Sequence, residues 1–172
     1  VNTWLLKPVL PDVARMAEII RARHGGVAAI LAYGSCIRGE SVRDTLIDFY
    51  VLTDDLKGVS TNIVSQFGCA LVPPNVYYCE AEIDEATVRS KYAVLPLSTF
   101  YKWMKPGTRN PYFWARFAQP SVLVYSRDEA AHNDIALAIE TALATCFAHA
   151  KAVTTKTAAL DIWTAGFRAT YD

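Results

Sequence analysis

Phosphate chemistry is the reaction class that the stretch from Leu31 to Asp55 suits best. Gly34 and Ser35 close one apolar run, and Asp48 lies inside the next. A glycine at such a point lets a triphosphate approach the backbone, and the N–H groups after it, with the serine hydroxyl, can cradle its oxygens. The same pair would also make a plain strand-ending turn. An aspartate on the neighbouring strand comes within reach of a Mg²⁺ bound to those phosphates. Asp48 is costly in an apolar strand unless it holds a metal or pairs with a Lys or Arg. Lys91 interrupts an otherwise apolar approach and can stand as a solvated edge lysine. Arg116, set among aromatics, can pack by cation–π contact. Arg38 can reach the triphosphate or pair with Glu40 or Asp44. Glu80 and Glu82 share one strand face by the period of two. They are candidates for the further carboxylate of two-metal transfer, or simply the solvated side of that strand.

The elements that must position these groups are legible in outline. Asp12 to Arg23 is expected as a helix capped by Asp12 and ended by Gly25-Gly26. Val27 to Tyr33 reads as a fully buried strand and Leu46 to Leu52 as a second. Val59 to Phe67 is expected to be a short helix. Val76 to Ile83 and Thr87 to Leu95 read as an antiparallel pair turning at Asp84-Glu85. Leu97 to Met104 and Tyr112 to Ala118 are aromatic-rich helices, and Ser121 to Tyr125 is a brief strand. From Asp128 an alanine-rich helix runs to Ala150, and Ala158 to Ala169 repeats the pattern. The expected organisation is an α/β domain over 1–126 followed by a helical region over 127–172.

Composition narrows the classes. A chain of 172 residues buries about 70% of its unfolded surface and needs no disulfides for a core. Seventeen basic and seventeen acidic side chains cancel, so a general nucleic-acid coat is not expected. Neither a transmembrane segment nor a signal peptide is expected. Cys36, Cys69, Cys79 and Cys146 are scattered along the chain. No two of them have the close spacing of a zinc or redox motif, so buried reduced thiols are expected. The aromatics Phe100, Tyr101, Trp103, Tyr112, Phe113 and Trp114 are either core between body and tail or, with Lys102 and Lys105, a surface resting on lipid headgroups.

The order apolar-Gly-Ser, a short connection, then Asp on the next strand resembles the nucleotidyltransferase superfamily of polymerase β-like enzymes. That superfamily's second carboxylate would fall on Tyr50. Ala32-Tyr33-Gly34-Ser35, Leu46-Ile47-Asp48-Phe49 and Asp54-Asp55 are similar to one branch that also lacks it: the mitochondrial-type phosphatidate cytidylyltransferases, the translocator assembly and maintenance family. Asn75-Val76-Tyr77-Tyr78, Ser90-Lys91-Tyr92-Ala93-Val94 and Tyr112-Phe113-Trp114-Ala115-Arg116-Phe117-Ala118-Gln119-Pro120 are similar to further motifs of that family. The resemblance runs from about Ala32 to Arg168. The family carries a longer insert between the positions of Asp55 and Asn75, and a lysine where Gln119 stands.

The resemblance implies a mixed sheet with flanking helices, and CMP transfer from CTP to phosphatidate with Mg²⁺. It gives Asp48 and Lys91 catalytic roles, and Asp48 a metal-binding one; Glu80 and Glu82, the further metal candidates, lie on the strand where the wider superfamily places its third acid, and the resembled family has no acids there. Tyr33, Gly34, Ser35, Arg38 and Arg116 would bind nucleotide. The expected partners are CTP, phosphatidate and a membrane surface touched from outside. The expected location is cytoplasmic, on the inner face of a membrane, or on the matrix side in a mitochondrion. The alternatives are a nucleotidyltransferase acting on a protein or small molecule, and a non-catalytic nucleotide-binding domain.

Overall fold

The computed structural model of the chain describes residues 5–37, 45–108, 110–155 and 157–171. In chain order its elements are α1 (Pro11–Arg21), β1 (Val27–Tyr33), β2 (Leu46–Thr53), α2 (Leu56–Val59), α3 (Ile63–Leu71), β3 (Asn75–Ile83), β4 (Ala86–Pro96), α4 (Leu97–Met104), α5 (Pro111–Phe117), β5 (Ser121–Ser126), α6 (Glu129–Ala152) and α7 (Ala159–Tyr171). A single 3₁₀ turn, Gly34–Ile37, follows β1. The five strands form one mixed sheet in the order β3-β4-β2-β1-β5. Only β2 and β4 run parallel; the other pairings are antiparallel. The expected α/β class is therefore the observed one.

Strand β1 is flanked on both sides and covered on both faces, which is why its sequence VAAILAY carries no charge. On one face α1 lays Val13, Met16 and Ile20 against Ile30, Ile47, Phe49 and Val51. On the other, Leu31, Tyr50, Leu52 and Leu95 meet Phe100, Phe113 and Phe117, together with Ile135 and Ile139 of α6. The helical region thus shares a core with the sheet. By length and composition alone α6 would suffice to cross a membrane, and it buries Ile135, Ala138, Ala142 and Cys146 in that core.

Local chemistry moves several boundaries from where the sequence puts them. Helix α1 opens on Pro11 with Leu10 as its cap residue, and Asp12 falls inside its first turn. Proline's fixed φ suits the first helical position, where no N–H is needed. The helix expected over Val59 to Phe67 is split in two. Asp55 accepts from the N–H groups of Lys57 and Gly58, and Asn62 from those of Val64 and Ser65. Each cap starts a helix of its own. The β3–β4 hairpin turns at Asp84 and Glu85 with φ of 48° and 61°, the left-handed pair of a two-residue turn.

Gly58 is where packing is tightest. A Cβ there would stand 2.3 Å from the Gly25 carbonyl oxygen and 2.8 Å from Thr53 Cβ. The backbone cannot yield as a side-chain tip can, so Gly58→Ala is expected to cost about 3 kcal/mol. Urea unfolding measures it; a midpoint within error of the parent would show that the loop relaxes freely.

The sequence carries no charge from Gly58 through Cys79. Helix α3 lies in that run and buries only Cys69. Ile63, Val64, Phe67, Leu71 and Val72 are 66–79% exposed.

Candidate functional site

The sheet register builds the site. Tyr33 at the end of β1 pairs with Asp48 on β2, and Asp48 pairs with Lys91 on β4. The row extends to Ser121 on β5 and Tyr78 on β3. Residues paired across a sheet point to the same face. One transverse row therefore reads Ser121, Tyr33, Asp48, Lys91, Tyr78. The row above it, Leu31, Tyr50 and Ala93, is buried in the helix-covered core. Within the site row, Asp48 and Tyr33 are half-buried and Lys91 and Tyr78 exposed.

Gly34 ends the strand at φ +83°, a conformation that side chains other than glycine's disfavour. A Cβ on it would touch Asp48 Oδ2 at 3.5 Å, so the bare backbone faces the carboxylate. Ser35 follows in the 3₁₀ turn, half-buried. Cys36 donates its thiol to the Tyr33 carbonyl at 3.2 Å, and burial pushes that thiol's pKa up. From α5, the Arg116 guanidinium lies 5.0 Å from the Tyr33 ring centroid, so its cation–π reading holds without displacing a phosphate role.

Burial raises the Asp48 pKa above its ordinary value, and the charges of Arg116 and Lys91 oppose that rise. The Tyr33 hydroxyl is also raised, by burial first and then by the Asp48 charge. One carboxylate between two cations, beside a glycine turn, is an arrangement that can take an anion and a hard cation together.

Glu80 and Glu82 share the sheet face of Asp48, but cross-strand and local contacts occupy them. Glu80 accepts from Tyr78 Oη at 2.8 Å and from Arg89 Nε at 3.0 Å. Those bonds hold its carboxyl below the usual value. Glu82 accepts from Thr87 Oγ1 at 2.6 Å. Among the described residues no cluster of three or more His, Cys, Asp or Glu forms a metal-holding group. Asp54 pairs with Arg127, and Asp55 caps α2, so the acidic pair of the sequence motif is engaged in structure. Arg38 lies outside the described residues. The four cysteines are free and buried.

Sequence reasoning passed over Ser121 and Phe117, which border the site. The signal for Ser121 is the β1–β5 register and that for Phe117 the packing of α5 on the Tyr33 ring, and nothing local in the sequence announces either. The aromatic cluster resolves mainly as core, with Phe100, Phe113 and Trp114 buried and Tyr112 49% exposed. The larger exposed apolar surface belongs to α3. No family model matches the chain, and no curated protein matches it.

Proposed function

We propose that this protein is a Mg²⁺-dependent nucleotidyltransferase that passes CMP from CTP to phosphatidate, giving CDP-diacylglycerol and pyrophosphate. The observation that carries the reading is the site row, where Asp48 stands between Gly34 and Lys91 with Arg116 alongside. A Mg²⁺ that arrives with its nucleotide needs one or two protein carboxylates, because substrate phosphates and water supply the remaining oxygens. Asp48 fits that need. When bound, the ion neutralises charge on the triphosphate.

The chain's own residues would do the rest. The absent side chain at Gly34 leaves room for phosphate oxygens against the backbone, and Ser35 adds a hydroxyl. Lys91 and Arg116 balance the remaining phosphate charge and align the two substrates. A phosphate oxygen of phosphatidate attacks the α-phosphorus, the bond to the bridging oxygen of the β-phosphate breaks, and pyrophosphate leaves. Phosphatidate is already ionised at neutral pH, so no general base is required.

The test is pyrophosphate release with Mg²⁺ and each of the four NTPs, with and without phosphatidate micelles. Release only with CTP and phosphatidate supports the reading. Release with another NTP or acceptor replaces the substrate. The row's single carboxylate favours a second reading, a nucleotide-binding domain without catalysis. Metal-dependent thermal stabilisation by CTP with no release under any condition would favour it.

A lipid acceptor calls for membrane contact, and α3 supplies a surface for it. Of its exposed apolar side chains, Leu71 lines a groove of about 650 Å³ together with Lys57, Lys102 and Trp103. The groove's acids, Asp54 and Asp55, are engaged elsewhere. Apolar anchors flanked by lysines suit an anionic bilayer. Burying one such side chain contributes about 2 kcal/mol. Phe67→Glu is therefore expected to weaken binding to phosphatidate-containing vesicles about 30-fold or more, with the melting temperature unchanged. Sedimentation with vesicles measures it, and undiminished binding would remove α3 from the contact.

A further inference from the structure

Beyond Lys91 the site row ends on Tyr78, in the edge strand β3. Helix cover on this face stops one strand earlier. Ala93 on β4 is buried, whereas its partner Val76 and, next along the same face, Tyr78 are 54% and 56% exposed. The Tyr78 hydroxyl donates to Glu80, two residues on, so the ring leans along the strand. The neighbouring row on this face holds Leu46, exposed on β2, then Arg89 and Glu80. An exposed ion pair contributes little stability, so the Glu80–Arg89 pair does not account for a bare ring beside it. Aromatic rings on an open sheet face are a recurrent platform for nucleobases, because every base has a flat face to stack.

The polar pair beside the ring keeps one acceptor and one donor open. Glu80 takes both of its bonds on Oε2, from Tyr78 Oη at 2.8 Å and Arg89 Nε at 3.0 Å. Among the described residues its Oε1 accepts none. Arg89 reaches Glu80 through Nε, and a guanidinium has further N–H groups to donate. An acceptor next to a donor matches a base edge with an amino group next to a bare ring nitrogen. Cytosine and adenine have that edge; uracil and guanine present a carbonyl oxygen and a ring N–H, which set like against like. The separation also fits. Tyr78 lies two strands from Asp48, about 10 Å at the usual strand spacing, a span that a ribose and its 5′ linkage bridge.

We propose that Tyr78, Glu80 and Arg89 are the base-binding shelf of the nucleotide site and select a base that carries an amino group. The base stacks on the Tyr78 ring, Glu80 Oε1 accepts from the amino group, and Arg89 donates to the ring nitrogen. The phosphate end at Gly34 and Asp48 rests on the nucleotidyl-transfer reading; the preference for an amino base comes from Glu80 and Arg89 alone.

Calorimetric titration with the four nucleoside 5′-monophosphates in Mg²⁺ tests it without turnover. CMP and AMP should bind at least about tenfold tighter than UMP and GMP. Whichever of the two leads names the base within the class. Tyr78→Ala should weaken CMP and AMP about 5- to 150-fold and leave inorganic tripolyphosphate, which has no base, unchanged. Tyr78→Phe, which keeps the ring, should retain most of the affinity. Glu80→Gln, whose amide can donate as well as accept, should bring the four monophosphates within about threefold of one another. Both positions are exposed, so melting temperatures should stay at the parent's. Equal affinity for the four bases in the parent would overturn the proposal. A preference that survives Glu80→Gln would do the same, as would an equal loss of tripolyphosphate in Tyr78→Ala. If pyrophosphate release fails with every NTP while the amino-base preference and its loss in Glu80→Gln persist, the transfer reading falls and the shelf stands. Parental release by Tyr78→Ala at subsaturating NTP would keep the transfer and remove the shelf.

Discussion

Asp48→Asn is expected to lower Mg²⁺-dependent nucleotidyl transfer about 10³-fold or more and, in the same protein, to raise the melting temperature of the unliganded fold. The activity loss follows from the composition of the row. Asp48 is its one carboxylate, so the neutral analogue leaves the hard cation without a charged ligand there. Losing a metal's anchoring costs several kcal/mol of transition-state stabilisation, at about 1.4 kcal/mol per tenfold in rate.

The stability gain follows from the direction of the pKa. Burial, the largest influence, raises the Asp48 pKa above its unfolded value, and the cations offset only part of that rise. A carboxyl raised in the fold binds protons more readily there than in the unfolded chain. Its contribution to stability is therefore most favourable below the unfolded value and is lost as pH rises through the folded one. At neutral pH the ionised group works against the fold, and asparagine, of similar shape and no charge, relieves it. The difference between variant and parent should shrink as pH falls through the raised folded value toward the unfolded carboxylate value, and stay small below it. Thermal melts across pH 3–8, beside pyrophosphate release at pH 7, measure both effects. Release within tenfold of the parent would sink the assignment of Asp48, and a lower melting temperature at pH 7 would show that its ion pairs outweigh its burial.

The sequence carried the candidate site's residues further than their geometry. Strand β1 is uncharged over its whole length and ends in Gly-Ser, so both the strand and its turn could be read directly. The β3–β4 hairpin was legible because alternation on both strands brackets Asp84-Glu85. Glu80 and Glu82 were correctly placed on one face. Whether that face was site or solvent depended on β3 being the edge strand and on Arg89 standing opposite Glu80. The parallel β2–β4 pair sets Lys91 beside Asp48, yet α2, α3 and all of β3 lie between them along the chain. No local pattern encodes such a register. Helix α3 departs from the usual rule for apolar residues: the fold leaves Ile63, Val64, Phe67 and Leu71 exposed. Hydrophobicity states that a surface wants a partner and does not say whether this chain provides it.

The two cations make separable contributions. Lys91→Met and Arg116→Met are each expected to lower kcat/KM about 10- to 150-fold, the range for charge-assisted hydrogen bonds to phosphate. Arg116→Met should destabilise the fold by about 1 kcal/mol beyond any effect on Asp48, because its guanidinium packs on the Tyr33 ring, a contact that Lys91, exposed on β4, does not make. Both variants carry a further signature. Arg116 and Lys91 pull the Asp48 pKa down against the effect of burial, so removing either lets it climb. Activity that needs the ionised carboxylate should then set in at higher pH, moving the acid limb of the pH–rate profile upward in both. Arg116→Lys keeps the charge but loses the planar stack and the bidentate fork. It should restore the acid limb while recovering only part of kcat/KM. That split distinguishes electrostatic control of Asp48 from direct grip on phosphate, because a residue acting only through packing would move neither the limb nor its rescue. An acid limb unchanged in all three variants would mean that Asp48 is not the group whose ionisation gates the reaction.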